Sequence, residues 1–252
     1  MSHVLRKAGT SAQISIIIPA RNESSCIGET LRSFRSALEN SSLSHEIVVV
    51  DGASTDKTLE CCDLAHTLVT EAPAERSSIA RARNIGAANS SGEFLFHTDA
   101  DVCIPDVNRF FCYLDKAFSD TSVVAVTGRI EPYPHAARRR DRVWHWIGNS
   151  IIRASHVTRI YFARGEFQVV RTSAFTAAGG YDEKIIVGED WDLFRRLAGQ
   201  GKILYARELV VYHSSRRFAA YGYGRMLTIY LRELFFLVIL KRSYLKKWDE
   251  VR

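Results

Sequence analysis

The stretch Phe94-Leu95-Phe96-His97-Thr98-Asp99-Ala100-Asp101 decides the fold, because an apolar run typical of a buried strand ends in two carboxylates. Side chains two apart in an extended segment point the same way, so Asp99 and Asp101 are expected to converge beyond the strand. Proteins hold Mg²⁺ or Mn²⁺ with one or two carboxylates together with substrate phosphates. The stretch therefore predicts a cation site that serves a nucleotide diphosphate. The alternative is a solvated turn beside a helix cap.

Before this stretch, apolar runs typical of strands alternate with helical spacing. The clearest helix has apolar residues at spacings of four, three and four. These residues are Ile27, Leu31, Phe34 and Leu38, and they follow a predicted strand at 14–18. Further elements are a strand at 47–50, a short helix after 56, a strand near 68–69, a helix at about 78–89 and the strand at 93–97. Repeated strand and helix units predict an α/β fold, with a mostly parallel sheet flanked by helices.

Polar turns follow three of these strands, at the carboxyl ends where parallel sheets bind ligands. They are Pro19-Ala20-Arg21-Asn22-Glu23, Asp51-Gly52-Ala53-Ser54-Thr55-Asp56 and the Asp99 pair. All three are expected to meet at one edge of the sheet, although each alone could cap a helix. A second Asp-x-Asp, Asp190-Trp191-Asp192, opens a segment with helical spacing. Positions two apart face away from each other in a helix, so this copy is not expected to chelate a cation.

Composition and missing motifs narrow the classes of protein. The 252 residues hold 34 Lys and Arg against 28 Asp and Glu, and the net charge of +6 suits phosphorylated ligands, nucleic acid or anionic lipid alike. The lack of a P-loop or dinucleotide fingerprint argues against kinase-like and dehydrogenase-like sites. Without a glycine cradle, a diphosphate needs a metal and basic side chains, and Arg216 and Arg217 are candidates to clamp it. Five cysteines without Cys-x-x-Cys spacing, and no secretion signal, favour a reducing cytoplasm.

Several motifs together resemble those of family 2 glycosyltransferases. They are Ile16 to Glu23, Val48 to Asp56, Ala82-Arg83-Asn84-Ile85-Gly86, Asp99-Ala100-Asp101, Gly179 to Glu183 and Gly188-Glu189-Asp190. The likeness covers roughly Ser15 to His213. It implies a GT-A fold and an enzyme that transfers a sugar, with inversion at the anomeric carbon, from a nucleotide-diphosphate donor. The donor is expected to be linked to UDP or GDP, and the acceptor to be a hydroxyl group of a lipid-linked molecule or a glycan.

The resemblance also implies a role for individual residues on the donor side. Asp51 would read the nucleotide base, and Arg83 would lie near the nucleotide. The same pocket would be bordered by Pro19, Ala20, Arg21 and Glu23. One departure from the family pattern is Gly52, where many members carry a second Asp.

For the metal and the chemistry, the resemblance points to acids and one histidine. Asp99 would face the ribose or the metal, Asp101 would bind Mg²⁺ or Mn²⁺, and His213 matches a third metal ligand of some relatives. Asp190 matches the catalytic base, with Glu189 and Trp191 beside it at the substrates. From the sequence alone, His213 could equally be only hydrogen-bonded. Glu189 and Asp190 could cap the helix that follows them, which would keep the pKa of Asp190 low.

These expectations divide the chain into an N-terminal tail at 1–13, a GT-A-like catalytic domain at 14–215 and a basic amphipathic helical segment at 216–252. The catalytic domain would have a nucleotide-sugar half at 14–130 and an acceptor half at 131–215. The apolar segment from Met226 to Leu240 is too short and too charged to span a bilayer. It could lie on an anionic membrane, at the inner face, or pack against the domain. Trp144-His145-Trp146, after an arginine-rich stretch, could likewise meet an acceptor or a membrane, or lead into a core helix.

Two other functional classes stay open as alternatives. A nucleotidyltransferase acting on a sugar phosphate would use a similar sheet, but it would normally have a glycine-rich basic turn after its first strand, and residues 19–23 do not form one. A non-catalytic basic module could bind membrane or nucleic acid. That class would leave the acids at 51, 99, 101 and 190 without a purpose, so no nucleic-acid partner is expected.

Overall fold

The computed structural model of the protein describes residues 2–7, 12–38, 44–71, 78–240 and 243–245. The strands are β1 (Ser2–Lys7), β2 (Ile14–Ala20), β3 (His45–Asp51), β4 (Thr67–Glu71), β5 (Phe94–His97), β6 (Val102–Cys103), β7 (Val123–Pro132), β8 (Gln168–Arg171) and β9 (Lys202–His213). The helices are α1 (Ile27–Leu38), α2 (Ile79–Ala88), α3 (Val107–Phe118), α4 (Arg139–Val157), α5 (Thr172–Ala177), α6 (Glu189–Leu197), α7 (Arg216–Tyr221) and α8 (Tyr223–Leu240). The basic positions 241–242 and 246–247 of the predicted C-terminal segment lie outside the described residues.

The predicted strand and helix units of the front half are confirmed. α1 begins at Ile27 and ends at Leu38, and the four residues that set its spacing are almost completely buried. The predicted short helix after 56 is a 3₁₀ turn at Leu59–Cys62. α2 begins after Ser78, because the Ser78 hydroxyl accepts a hydrogen bond from the backbone N–H of Arg81 and so caps the helix.

The strands form one sheet in the order β1-β4-β3-β2-β5-β8-β7-β9-β6. β4, β3, β2 and β5 run parallel. After β2 the chain continues to β3 and β4 on one side of β2, and then returns to form β5 on the other side of β2. A ligand site is expected at this switch point. α1 and α3 pack on one face of the sheet. α2, α5 and α6 pack on the other face. The predicted α/β class with helices on both faces is therefore confirmed.

The second half makes the sheet mixed. β8 pairs antiparallel with both β5 and β7, while β9 pairs parallel with β7. Two reversals restore the original direction, so the carboxyl end of β9 lies at the same edge as those of β2, β3 and β5. The amino end of β8 lies there too, since Gln168 is paired with His97. This edge collects residues from both halves of the chain.

One feature of the described fold differs from the expected boundaries. Ser2–Lys7, assigned from sequence to a tail, form the edge strand β1, which pairs antiparallel with β4. All six of its side chains are exposed, so main-chain hydrogen bonds hold it and no apolar alternation signals it. The division of the catalytic domain at 130/131 stays a prediction, and β7 crosses that point within the sheet.

The C-terminal helix α8 is anchored by Met226 and Glu233, which are its buried residues. The Glu233 carboxylate accepts hydrogen bonds from the Ser243 hydroxyl and from the backbone N–H groups of Tyr244 and Leu245. Because Met226 is buried, the helix packs on the domain. Other apolar residues of α8 are exposed, so the helix also presents an apolar face to solvent. Among the described residues, none of the helices has the length and apolar character needed to cross a bilayer.

Candidate active site

A cavity of about 610 Å³ opens at the edge of the sheet where the strand ends meet. Almost every residue predicted from sequence for the site lines it. These residues are Pro19, Ala20, Arg21, Glu23, Arg83, Asp99, Asp101, Glu189, Asp190, Trp191, His213, Arg216 and Arg217. Asp51 is the exception, since it is buried behind Gly52, which does line the cavity. The structure therefore brings together side chains from positions 19 to 217.

The turns after β2 and β3 are locked to each other by hydrogen bonds. The backbone N–H of Asn22 donates to the Ser54 hydroxyl over 2.9 Å, and Asn22 Oδ1 accepts from the backbone N–H of Thr55 over 2.8 Å. Asp51 accepts a bond from the backbone N–H of Ser54 at Oδ2. Its other oxygen, Oδ1, is buried and has no hydrogen-bond partner in the described part of the chain. Buried acceptors are normally satisfied, so this oxygen fits a ligand that donates a hydrogen bond.

Arg83 joins two acids that are distant in sequence. Its guanidinium donates to Asp99 Oδ1 over 2.9 Å, to Glu189 Oε1 over 3.0 Å and to the Gly165 carbonyl over 3.0 Å. Arg83 is almost completely buried, and Gly165 leaves room for it, since a Cβ there would lie 2.4 Å from the guanidinium. Arg83 thus fixes the turn after β5 against the start of α6.

Asp101 lies in a concentration of negative charge. The predicted extended geometry ends at His97, and Asp101 instead sits in a turn held by a hydrogen bond from the Thr30 hydroxyl to the Ala100 carbonyl. Burial raises the pKa of Asp101 to about 7; Arg216, 3.3 Å away, opposes the shift, and repulsion from Asp99, Glu23 and Glu166 adds to it. The guanidinium of Arg216 also forms an ion pair with Glu23.

His213, at the end of β9, belongs to a buried polar cluster. The guanidinium of Arg164 donates to Glu166 over 2.9 Å and lies 3.3 Å from a ring nitrogen of both His145 and His213. Burial and the nearby Arg164 lower the pKa of His213 to about 4, against the pull of Glu166. Burial alone would raise the pKa of Glu166, but Arg164 and His213 lower the pKa of Glu166 to about 2. His213 is therefore a neutral imidazole, the form that can bind a metal.

The acids of this site could bind a divalent cation, but the described protein side chains alone do not supply a full set of ligands. No group of three or more His, Cys, Asp or Glu side chains in the described ranges has the arrangement to hold an ion. The predicted ligand set of Asp99, Asp101 and His213 stays a prediction, and in the structure Asp99 pairs with Arg83 and His213 with Glu166. Asp101, which other acids surround, would be the best single candidate ligand. The remaining positions suit the oxygens of a diphosphate.

Asp190 lies at the start of α6, where the chain enters through Gly188 in a left-handed conformation, φ 90°. Its carboxylate accepts a bond from the backbone N–H of Trp191 over 2.9 Å and lines the cavity. Burial and repulsion from Glu189 raise the pKa of Asp190 well above its usual range, although Arg83 opposes the shift. A helix cap would have kept this pKa low, but burial and the neighbouring carboxylate outweigh the helix terminus.

The far wall of the cavity is apolar and comes from α4 and α8. Its aliphatic residues are Ile147, Ile151, Ile152, Leu227, Leu231 and Leu234. Trp144 also lines this wall and packs against Phe218 and Tyr223 with ring centroids 5.6 Å away. The Trp144 segment thus lies inside a long helix beside the site, and not in a solvated loop.

A model of glycosyl transferase family 2 matches residues 15–178. The chain belongs to this family. The glycosyltransferase is 28% identical over 234 residues to the succinoglycan biosynthesis protein ExoA of Rhizobium meliloti. The aligned region covers 86% of this chain and 69% of ExoA. The family assignment confirms the predicted enzyme class, and it leaves the nucleotidyltransferase and the non-catalytic module without support.

Solved structures resemble the glycosyltransferase over nearly its whole length and share its GT-A fold. The mannosyltransferase PcManGT of Pyrobaculum calidifontis, in complex with GDP-Man and Mn²⁺, matches with a TM-score of 0.67 and 21% identity over 99% of this chain and 68% of that one. Glucosyl-3-phosphoglycerate synthase of Mycobacterium tuberculosis, with Mn²⁺ and UDP-glucose, matches with a TM-score of 0.61 and 20% identity over 95% of this chain and 81% of that one.

Sequence reasoning missed several cavity residues of this glycosyltransferase, above all Arg164 and Glu166. They precede β8, and residues that precede a strand are not expected at a carboxyl-end site. β8 runs antiparallel, so its amino end lies at the site edge. Two charged residues directly before the buried run at 167–170 were the available signal. Reading that signal requires the direction of β8, which the sequence pattern does not give.

Proposed function

We propose that this glycosyltransferase moves a sugar from a nucleotide-diphosphate donor to a hydroxyl acceptor, with a divalent cation and with inversion of the sugar carbon. One observation carries the proposal: Asp101 and Asp190 line one cavity, and the buried Asp51 directly precedes Gly52, which lines it too. The relatives in solved structures hold GDP-Man or UDP-glucose together with Mn²⁺, which supports a donor of the same chemistry for this chain.

The donor would lie between the interlocked turns and the acids. Oδ1 of Asp51, which lacks a partner among the described residues, would accept a hydrogen bond from the base. Both UDP and GDP offer such an N–H donor, so we keep both as candidates. Arg216 and Arg217 line the same cavity and supply positive charge near the diphosphate. Arg83 would act by holding Asp99 and Glu189 in place, because its guanidinium already pairs with both.

Mg²⁺ or Mn²⁺ bound at Asp101 would supply a Lewis acid that stabilises the negative charge of the departing diphosphate. Asp101 would hold it, with Asp99 and His213 within the same cavity as secondary candidates. The carboxylates around Asp101 support this role, since after burial, the main cause, they add to the rise in its pKa, and a bound cation would compensate their charge.

Asp190 would take the proton from the attacking hydroxyl. It lies at the opposite end of the Arg83 network from Asp99, because Arg83 pairs with its neighbour Glu189. Its raised pKa makes it a stronger base than an exposed carboxylate. An attack assisted from the face opposite the leaving group inverts the sugar carbon by geometry. Trp191 packs against Phe162 beside the base and would border the acceptor.

The test is hydrolysis of UDP-, GDP- and dTDP-sugars with Mn²⁺, followed by Asp190→Asn. We expect slow hydrolysis of one donor class by the wild type, and a loss of at least about 100-fold in the variant, because the base is removed. Asp192→Asn is the matched control. Asp192 pairs with Arg195 and Arg196 and does not line the cavity. Normal turnover in Asp190→Asn would place the base elsewhere.

The location of the glycosyltransferase stays a proposal. Its five cysteines are all free, two of them side by side at 61 and 62, which suits a reducing cytoplasm. Contact with the inner face of a membrane would be consistent with the exposed apolar residues of α4 and α8.

A further inference from the structure

The cavity carries an apolar surface that the donor does not need. Two aliphatic residues of α4, Ile147 and Ile151, are 41% and 53% exposed. Two of α8, Leu227 and Leu231, are 45% and 58% exposed. Each pair is four positions apart, so each forms one row along its helix. All four line the cavity that also holds Asp190. We call the surface between these two rows the α4–α8 groove.

The two helices are fastened to each other at their starts. The Tyr223 ring lies 5.6 Å from Trp144, and the Tyr223 hydroxyl donates a hydrogen bond to Asp141. The guanidinium of Arg140 lies over the same ring at 5.5 Å. These contacts hold the two helices side by side, so the two apolar rows keep a fixed separation at this end of the groove.

The chemistry of the walls selects the kind of ligand. Aliphatic side chains offer no hydrogen bonds to sugar hydroxyls, and leaving them exposed costs free energy that burial against a hydrocarbon recovers. The start of α4 adds exposed arginines at 138, 139, 140 and 142, which suit an anionic head group or an anionic lipid surface. The groove is continuous with the catalytic cavity, so its occupant would also reach the base.

We propose that the α4–α8 groove binds the hydrocarbon chain of a lipid-linked acceptor, whose hydroxyl is presented to Asp190. This inference rests on the proposed transfer reaction. It names the class of acceptor, an amphiphile with a long apolar chain and an anionic head, and it assigns the chain to residues Ile147, Ile151, Leu227 and Leu231.

The test compares two soluble probes by calorimetry: dodecyl phosphate, kept below its micelle concentration, and butyl phosphate. The shared phosphate cancels any binding at the donor site. We expect dodecyl phosphate to bind at least about tenfold more tightly, because the extra methylene groups leave water. Leu231→Gln should reduce the ratio of the two affinities, dodecyl over butyl phosphate (the chain-length ratio), by about threefold or more. Equal affinities of the wild type for the two probes would overturn the inference.

Val238→Gln is the matched control. Val238 lies two turns beyond Leu231 on α8 and is 62% exposed, but it does not line the cavity. It should leave the chain-length ratio and donor hydrolysis unchanged. An equal loss in both variants would mean that general surface hydrophobicity binds the probe, and would overturn the groove.

Three further outcomes bear on this inference and on its basis. Sedimentation velocity of the wild type and of Leu231→Gln would show a dimer that dissociates if the groove is a contact between two copies, and that result contradicts the inference. Donor hydrolysis without any preference for dodecyl phosphate contradicts the lipid acceptor and leaves the transfer proposal standing. A chain-length preference with no hydrolysis of any donor would contradict the transfer reaction itself.

Discussion

Arg83 is the residue on which the geometry of the acids depends. It is buried and donates to Asp99 and Glu189, which are ninety positions apart in the chain. Sequence resemblance predicted that this arginine lies near the nucleotide. It could not predict the pairing with Glu189, since that contact depends on how α6 packs against α2. A residue's neighbours across the site follow from the assembled sheet and not from its own motif.

We expect Arg83→Lys to destabilise the fold by about 1 to 3 kcal/mol, because an ammonium group cannot replace the planar fork and leaves a buried acceptor unsatisfied. Urea unfolding followed by circular dichroism measures the change. Arg81→Lys is the matched control on the same helix, since the Arg81 side chain is one-third exposed and water can solvate its replacement, although it pairs with the buried Glu71 as well as with the exposed Glu183. If the two variants were equally stable, the buried Arg83 guanidinium would not hold the site together as described.

Asp190 gives a prediction for pH. The base must be ionised, and burial with repulsion from Glu189 raises its pKa well above the usual range. Turnover should therefore rise with pH through an apparent pKa clearly above that of an ordinary carboxyl group, about 4. The pH profile of donor turnover measures it. A profile already flat from pH 5 upwards would argue against Asp190 as the base.

The same shift has a consequence for stability. A carboxyl group with a raised folded-state pKa is stabilising when protonated, and stability falls as pH rises from the unfolded towards the folded pKa. Asp190→Asn removes the charge, so its melting temperature should exceed that of the wild type by about 2 °C or more at pH 8. The difference should shrink near pH 4. This measurement also separates loss of the base from loss of the fold.

At the level of elements, the packing of α2 on the sheet depends on Gly86. A Cβ at this position would lie 2.4 Å from Cγ2 of Ile17 in β2 and 3.3 Å from Cγ2 of Val50 in β3. The motif Ala82-Arg83-Asn84-Ile85-Gly86 therefore has a structural part as well as a functional one. Its glycine sets the distance between α2 and the sheet, and thereby the depth at which Arg83 enters the site.

Gly86→Ala should destabilise the protein by about 1 to 3 kcal/mol, because the added methyl group overpacks the contact between α2 and the sheet. Gly28→Ala, in α1, is the control. Its Cβ would meet the flexible end of Arg32 at 3.4 Å, and the gain in helix propensity should make it neutral or stabilising by up to about 1 kcal/mol. Thermal unfolding of both variants tests the difference. If Gly86→Ala were as stable as Gly28→Ala, the close approach would be wrong.

Elements with a clear apolar period could be predicted from the sequence, and those fixed by tertiary contacts could not. α1 spans the residues of its pattern, and the parallel strands lie where their patterns predict, with ends that differ by at most two residues. β1 has only exposed side chains, and β8 is four residues long with an antiparallel direction that no spacing encodes. The direction of β8 decides that Arg164 and Glu166 reach the site. For this reason the meeting of the polar turns at one edge could be predicted from the sequence, and the Glu166 cluster could not.

At the scale of the whole molecule, two reversals of strand direction gather the site. β2, β3, β5 and β9 end at one edge, and β8 begins there. The cavity at this edge has a polar end formed by the turns and acids at the strand ends, and an apolar end between α4 and α8. Family membership fixes the class of reaction, and the proposed donor and acceptor would occupy these two unlike ends.

The most direct measurement of the central claim is calorimetry of nucleotide diphosphate binding with and without Mn²⁺. In the wild type, Mn²⁺ should raise the affinity for UDP or GDP at least about tenfold, or 1.4 kcal/mol. Asp101→Asn should abolish this gain. Asp106→Asn should retain it, since Asp106 caps α3 outside the cavity and Asn caps equally well. An undiminished effect of Mn²⁺ in Asp101→Asn would contradict the account.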